Sequence, residues 1–193
     1  MSIKILAGTL KGLYIDSPNS ARPTLSRFRQ TLFDILESFA SGNNFGHFFE
    51  GKIVLDCFAG SGALGFEALS RRASFAYFID RDRKAVNTIF NNAKKLGVIS
   101  SCKIMRADAT TIKPSENYRP EICDIVFIDP PYGQVSIKQT INNFQQSGWI
   151  DDNSLLIIEE PARSTEEIPN IECLLQKCIG ISSFRLVKIL RHC

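Results

Sequence analysis

The spacing of apolar positions changes early in the chain, from alternation to helical periodicity. The segments "IKILAG" and "GLYIDS" predict a short β-hairpin at the N-terminus. From Leu25 to Phe39 apolar side chains recur at helical spacing after Pro23 and a capping Thr24, which predicts an amphipathic helix. The segment "SGNNFG" ends this pattern and is a candidate hinge. We therefore expect a hairpin and helix extension at residues 1–45 and the main domain at residues 46–193.

From Lys52 onwards strand-like and helix-like patterns alternate. Strands are predicted at "KIVLDCF", "FAYFID", "CKIMRAD", "CDIVFIDPPY" and "SLLIIEE", helices at 63–71, 83–96 and 137–146, and a closing hairpin at "LLQKCIG" and "FRLVKIL". Such alternation specifies an α/β fold, a mostly parallel sheet with helices on both faces. Ligands of these sheets bind at the carboxyl ends of the strands.

Composition and charge narrow the class of protein. The 193 residues are 44% hydrophobic and 22% charged, which suits one globular domain with a small appendage. We expect a cytoplasmic protein without membrane contact, because no apolar run approaches the ~18 residues of a membrane helix and the first residues lack the apolar stretch of a signal peptide. With His47 and His192 as the only histidines and no Cys-x-x-Cys pair, no metal site is expected.

The net charge of +3 is concentrated at the N-terminus. The first thirty residues carry five basic side chains against Asp16 alone, and the rest of the chain sums to −1. Since basic segments are attracted to phosphate backbones, this end is a candidate nucleic-acid surface. A solvated basic face is the simpler alternative. The candidate phosphate contacts are Lys11, Arg22, Arg27 and Arg29. Arg29 lies beside the apolar stripe of the predicted helix and could instead reach towards whatever that stripe packs on.

A glycine-rich loop follows the first predicted strand of the main domain. Gly60, Gly62 and Gly65 match the G-x-G-x-x-G pattern between a strand and a helix, where glycines let a nucleotide approach the backbone. Asp80 closes the next strand 18 residues after Gly62, near the ~20 expected of a carboxylate that binds ribose hydroxyls. The sequence predicts a nucleoside-binding site.

Asp56, four residues before Gly60, distinguishes between cofactors. A carboxylate at that position would repel the pyrophosphate of a dinucleotide, which disfavours a nicotinamide oxidoreductase. S-adenosylmethionine has no phosphate, and its ammonium and sulfonium groups favour nearby carboxylates. Asp108, at the end of the third strand, stands where it could accept a hydrogen bond from the adenine amino group; a surface loop aspartate is the alternative. The expected cofactor is S-adenosylmethionine.

The motif "DPPY", residues 129–132, follows the fourth strand at the same edge of the sheet. Each proline fixes φ and has no N–H, so carbonyl groups are left free to accept hydrogen bonds. We expect Asp129 and the Pro130 carbonyl each to accept one N–H of an exocyclic amine, which directs the nitrogen lone pair at the methyl donor. Tyr132 would stack on the base. The alternative is a rigid turn with an exposed tyrosine.

Three segments together resemble one enzyme family. "VLDCFAGSGALGFEALSR", "FIDPPYG" and "RPTLSRFRQTLFDIL" are similar to the RsmD-type methyltransferases, over essentially the whole chain. The resemblance implies a Rossmann-like class I S-adenosylmethionine-dependent methyltransferase sheet and transfer to guanine N2 in bacterial 16S ribosomal RNA. It also implies recognition of an assembled small ribosomal subunit, and we expect a monomeric enzyme. The residues to which a cofactor role is assigned are Thr24, Asp56, Phe58, Ala59, Gly60, Gly62, Asp80, Arg81, Asp108 and Ala109, and those assigned to the target amine are Asp129, Pro130, Pro131 and Tyr132.

The sequence departs from the family pattern in two places, and other acceptors remain open. Cys57 replaces the usual leucine and should pack similarly. The hairpin loop offers only Lys11 where the family often carries several arginines, so phosphate contacts there should be weaker or differently placed. Adenine N6 of DNA or another RNA suits the same motif, but only 62 residues follow Pro131, too few for a target-recognition domain. Two further alternatives are a protein glutamine as the methyl acceptor and a non-catalytic RNA-binding protein. Loss of function on replacing Asp129 would exclude the non-catalytic protein.

Overall fold

The N-terminal segment forms the predicted hairpin and helix. The structure, a computed structural model, describes residues 2–18, 26–43, 46–113, 120–131, 133, 135–162 and 166–190. Strands β1 (Ser2–Lys4) and β2 (Tyr14–Asp16) pair antiparallel, and helix α1 spans Ser26–Gly42. The strands are shorter than predicted because the chain between them folds into turns, in which Gly12 N donates to the Ile5 carbonyl.

The main domain contains a seven-stranded sheet, and each strand and helix predicted for it is confirmed. Its elements are β3 (Ile53–Asp56), α2 (Ala63–Ser70), β4 (Phe75–Asp80), α3 (Arg83–Lys95), β5 (Cys102–Arg106), β6 (Ile125–Ile128), α4 (Ile137–Gln146), β7 (Leu155–Pro161), β8 (Ile171–Ile179) and β9 (Ser182–Ile189). The strand order is β5-β4-β3-β6-β7-β9-β8, with β9 antiparallel to both of its neighbours and the other pairs parallel. The order reverses between β3 and β6, and a ligand crevice is expected at the carboxyl ends of strands at such a reversal.

The N-terminal extension and the sheet share one hydrophobic core. Apolar residues of the hairpin, of α1, α2 and α3 and of one sheet face form a single buried cluster, while α4 covers the other face. The Phe33 ring of α1 lies 5.8 Å from Phe127 of β6, and Phe28 lies 6.5 Å from Phe184 of β9. This packing fixes the start of α1 beside the carboxyl ends of β6 and β7. Among the described residues, no helix combines the length and apolar character needed to cross a membrane.

Buried charges attach the hairpin to the main domain. Glu67 of α2 is fully buried, and its carboxylate accepts hydrogen bonds from Leu6 N (2.8 Å) and Ala7 N (3.0 Å). Arg29 is also fully buried and donates to the Lys4 carbonyl at 2.6 Å. Burial lowers the pKa of Arg29, and the nearby Glu67 carboxylate partly opposes this effect. The prediction that Arg29 contacts a phosphate is therefore wrong: its guanidinium holds the hairpin inside the protein.

Candidate active site

A cavity of about 720 Å³ opens at the carboxyl end of the sheet. Its volume is in the range of small-molecule and cofactor sites. Both predicted groups of ligand-binding residues contribute to its lining, together with the start of α1 and the turn between β8 and β9. The predicted site residues that line it are Arg27, Phe58, Gly60, Asp80, Arg81, Asp108, Ala109, Asp129, Pro130 and Pro131.

The glycine loop forms one wall of the cavity, and its N–H groups donate hydrogen bonds to the neighbouring strand β4. Gly60 N donates to Asp80 Oδ2 at 2.8 Å, and Ala59 N donates to the Ile79 carbonyl at 3.0 Å. Gly62 has φ of +78°, and a Cβ at this position would lie 2.6 Å from the Phe66 ring. Glycine is required here because both the left-handed backbone and the packed ring exclude a side chain. Of the two glycines, only Gly60 lines the cavity, whereas the missing side chain of Gly62 makes room for the Phe66 ring behind the loop.

Asp56 lies beneath the loop and not on the cavity surface. It is 2% exposed, and its Oδ2 accepts a hydrogen bond from Gly65 N at 3.1 Å. Burial and, to a smaller extent, the nearby Asp129 and Asp80 carboxylates raise the pKa of Asp56 to about 7, and the Gly65 hydrogen bond partly opposes this rise. The residue predicted to face the cofactor directly is thus a buried support for the loop, close to two carboxylates that do line the cavity.

Asp80 and Asp108, both predicted to contact the cofactor, line the cavity. Asp80 accepts from Gly60 N through one oxygen and from Asp82 N, at 2.8 Å, through the other. Asp108 accepts from both the hydroxyl (2.6 Å) and the backbone N (2.9 Å) of Thr110. These two bonds, with a smaller contribution from Arg81, hold the pKa of Asp108 below its ordinary value. The carboxylates are therefore oriented before any ligand binds.

The motif predicted to bind the target amine contributes Asp129, Pro130 and Pro131 to the lining of the same cavity. Asp129 follows β6, which pairs in parallel with β3 and with β7, so it stands between the end of β3 at Asp56 and Glu159 of β7, two residues before that strand ends. Pro130 is buried and Pro131 is exposed at the rim. Tyr132, predicted to stack on the base, lies outside the described residues. So do Thr24 and Arg22, which were predicted to contact the cofactor and the RNA.

Two predicted phosphate contacts differ in position. Arg27 is exposed and lines the cavity. Lys11 is exposed but lies on a hairpin loop whose Thr9 N and Leu10 N donate to Ser70 at the last turn of α2. The helix begins beside the glycine loop, so Lys11 is displaced from the cavity by roughly the length of α2, about 12 Å for eight residues. The role of Lys11 stays a prediction.

Sequence reasoning missed Glu159, Ile181 and Asn92, among other contributors to the site. Glu159, near the end of β7, lines the cavity, as does Ile181, which is 85% exposed in the turn between β8 and β9. Buried Asn92 donates to the carbonyls of both Asp16 and Ser61 and so connects the hairpin to the glycine loop. Glu159 had a usable signal, because it closes a strand at the same edge as the predicted aspartates. The other two depend on contacts between distant segments.

Comparison with known proteins agrees with this geometry. A family model described as "Conserved hypothetical protein 95" matches residues 3–188. Ribosomal RNA small subunit methyltransferase D of Buchnera aphidicola is 36% identical over 92% of this chain and 87% of its own length. The chain belongs to this family. The protein of the same name from Escherichia coli is 32% identical over 95% of this chain and 88% of its own length. The family and the methyltransferase class expected from the sequence are confirmed.

Solved structures show the same architecture. The Escherichia coli protein yhhF superposes with a TM-score of 0.81 at 28% identity, covering 100% of both chains. A more distant relation, a methyltransferase from Thiobacillus denitrificans solved with S-adenosyl-L-homocysteine, has a TM-score of 0.54 at 21% identity, covering 72% of this chain and 50% of its own. The Rossmann-like class I methyltransferase fold expected for this member of the methyltransferase D family is confirmed.

Proposed function

We propose that the protein transfers a methyl group from S-adenosylmethionine to N2 of a guanine in 16S ribosomal RNA. The observation that carries this proposal is the placement of Asp129 and Pro130 in the same cavity as the glycine loop, Asp80 and Asp108. A donor site and an amine-accepting motif thus meet at one edge of the sheet. The RNA acceptor is supported by the name of the Buchnera relative, a small-subunit ribosomal RNA methyltransferase.

The residues present fit S-adenosylmethionine. Gly60 brings loop backbone to the cavity surface, where Asp80 would accept from the ribose hydroxyls and Asp108 from the adenine amine. Phe58 and Ala109 add apolar surface for the adenine ring. When bound, this cofactor supplies a methyl group on a sulfonium. Nearby carboxylates, including buried Asp56, favour the positive charge of that donor over a phosphate-bearing cofactor.

Asp129 and the Pro130 carbonyl position the target amine. Each accepts one N–H of the exocyclic nitrogen. The lone pair of that nitrogen is then no longer delocalised into the ring and is directed at the methyl carbon. After transfer the cationic nitrogen loses a proton readily, and the Asp129 carboxylate can accept it. Tyr132 stacks on the base in this scheme. Thr24 and Arg22 complete the cofactor and RNA contacts.

The rim of the cavity fits an extruded nucleotide. A base must leave its stack to reach Asp129, which costs a few kcal/mol, about what stacking on a side chain returns. Exposed Ile181 offers an apolar contact at the cavity, and Arg27 offers a cation for the flanking phosphate. We propose that the enzyme acts as a cytoplasmic monomer on an assembled small subunit, because the basic N-terminal segment alone gives limited affinity for protein-free RNA.

Methyl transfer to small ribosomal subunits that lack the modification tests this function. Labelled S-adenosylmethionine, nuclease digestion and nucleoside identification should place the label in N2-methylguanosine. Asp129→Ala should abolish turnover, by at least about 100-fold as for other lost transition-state contacts, while S-adenosylhomocysteine still binds. Asp34→Ala, which removes an exposed carboxylate of α1, is the matched control. Label in N6-methyladenosine, or undiminished turnover by Asp129→Ala, would contradict the proposal.

A further inference from the structure

Glu159 lies beside Asp129 on the floor of the cavity. Strands β6 and β7 pair in parallel with Ile128 opposite Ile158, so the next residues along each strand are Asp129 and Glu159. Side chains at matched positions of neighbouring parallel strands point to the same face, about 4.8 Å apart. Both residues line the cavity. The structure therefore places a second carboxylate next to the one that holds the target amine.

The surroundings of Glu159 suit recognition of a base. Its partner in the antiparallel register is Phe184, which is fully buried and packs edge-on against Phe28. These two rings give the carboxylate an apolar side, and hydrogen bonds to a carboxylate are strengthened where water is excluded. The adjacent Glu160 faces the opposite side of β7, where it forms an ion pair with Arg185 at 2.6 Å. The two consecutive glutamates therefore serve different sites.

Guanine and adenine differ at the atom that such a carboxylate would meet. On its Watson–Crick edge guanine carries N1–H beside the N2 amine, so two adjacent groups donate hydrogen bonds. Adenine carries an unprotonated N1 beside its N6 amine, and this nitrogen only accepts. A carboxylate oxygen also only accepts, so a second carboxylate beside the amine-binding one is complementary to guanine and repels adenine N1.

We propose that Glu159 selects guanine by accepting a hydrogen bond from N1–H while Asp129 and Pro130 hold the N2 amine. This inference rests on the proposed function and adds the residue that determines the base. It assigns to β7 the discrimination between guanine and adenine that the amine-binding motif alone does not provide, since that motif accepts any exocyclic N–H.

The test changes the Watson–Crick edge of the base, by exchanging guanine for 2-aminopurine, which lacks O6 and the N1 proton, and changes one side chain of the protein. After the methylated guanosine has been located, small subunits are reconstituted with either guanosine or 2-aminopurine nucleoside at that position. 2-Aminopurine keeps the N2 amine but has an unprotonated N1. The wild-type enzyme should prefer guanosine in kcat/KM by about 10- to 100-fold, the range of a good base contact. In Glu159→Gln the amide can donate to N1, so the preference should fall at least tenfold.

Matched variants separate this role from a structural one. Glu159→Asp should retain the preference for guanosine at a lower kcat, and Glu172→Gln, at an exposed carboxylate of β8 in the same sheet, should change neither value. S-adenosylhomocysteine binding should be retained in all of them. Equal use of both nucleosides by the wild type, or an unchanged preference in Glu159→Gln, would overturn the inference alone. Failure of the wild type to form N2-methylguanosine would instead overturn the proposed function, and this inference with it.

Discussion

The burial of Asp56 predicts that the stability of the protein depends on pH. Its side chain is 2% exposed, supports the glycine loop through Gly65 N, and has Asp129 and Asp80 as charged neighbours. Asp56→Asn keeps an oxygen that accepts from Gly65 N and removes the possibility of a buried negative charge. The variant should therefore be more stable than the wild type wherever the wild-type carboxyl is ionised.

The magnitude follows from the change in pKa. Folding raises the pKa of Asp56 from 3.8 to about 7, so between these values the folded state binds more protons than the unfolded state. Stability then falls as pH rises through this window and levels off above it. A tenfold change in proton affinity corresponds to about 1.4 kcal/mol, which gives an upper limit of about 4 kcal/mol. We expect Asp56→Asn to gain about 2–4 kcal/mol relative to the wild type between pH 4 and pH 8.

Urea unfolding of both proteins from pH 4 to pH 9 measures this difference. Titrating groups that do not interact with Asp56 cancel when the free energies of unfolding are subtracted, so the difference reports Asp56 together with its coupling to Asp129 and Asp80. The difference should change between pH 4 and pH 7 and stay constant between pH 8 and pH 9, which serves as an internal control. A difference that is constant over the whole range, or that favours the wild type increasingly as pH rises, would refute the argument.

Three further predictions concern the hairpin, the phosphate contact and the rim. Glu67→Ala removes the acceptor of two hairpin N–H groups and leaves buried cations uncompensated. Urea unfolding should therefore show a loss of about 3–5 kcal/mol in the free energy of unfolding, whereas Glu172→Ala should show little change. Equal losses in the two variants would contradict the buried-charge role of Glu67. Arg27→Gln should weaken binding of small-subunit RNA and make its dependence on log salt shallower by about one; an unchanged slope would return Arg27 to a solvated surface. Ile181→Ser should raise KM for the small subunit about three- to tenfold by loss of an apolar base contact, while kcat and stability stay nearly unchanged. The control is Ile122→Ser, at another exposed isoleucine. A matching rise in KM for the control would contradict a specific contact at Ile181.

The predictable part of the site lies in local sequence. Each of these features is recognisable within a single strand-loop segment of the sequence: the loop at Gly60 and Gly62, the strand-ending Asp80 and Asp108, and the motif at Asp129. Each follows a strand directly, and the carboxyl ends of parallel strands meet at one edge of a sheet. Their convergence on one cavity could therefore be expected before the structure was known.

Buried charge is where sequence reasoning failed. On the helical wheel Arg29 lies at the border of the apolar stripe, and a basic residue in a basic segment favours the surface. Its burial depends on Glu67, 38 positions later, and on the Lys4 carbonyl of the hairpin. Likewise the pattern around Asp56 indicates a strand-ending carboxylate but does not show whether it reaches the cavity surface.

The sequence by itself determined the succession of strands and helices along the chain, the class of fold and the segments that carry the chemistry. It could do so because hydrophobic periodicity and turn residues act over short distances along the chain. Only the tertiary structure decided which carboxylates face the cavity, which support it from beneath, and that Glu159 stands beside Asp129. Those outcomes depend on strand order, register and the cost of burying charge, which are set by contacts between segments far apart in sequence.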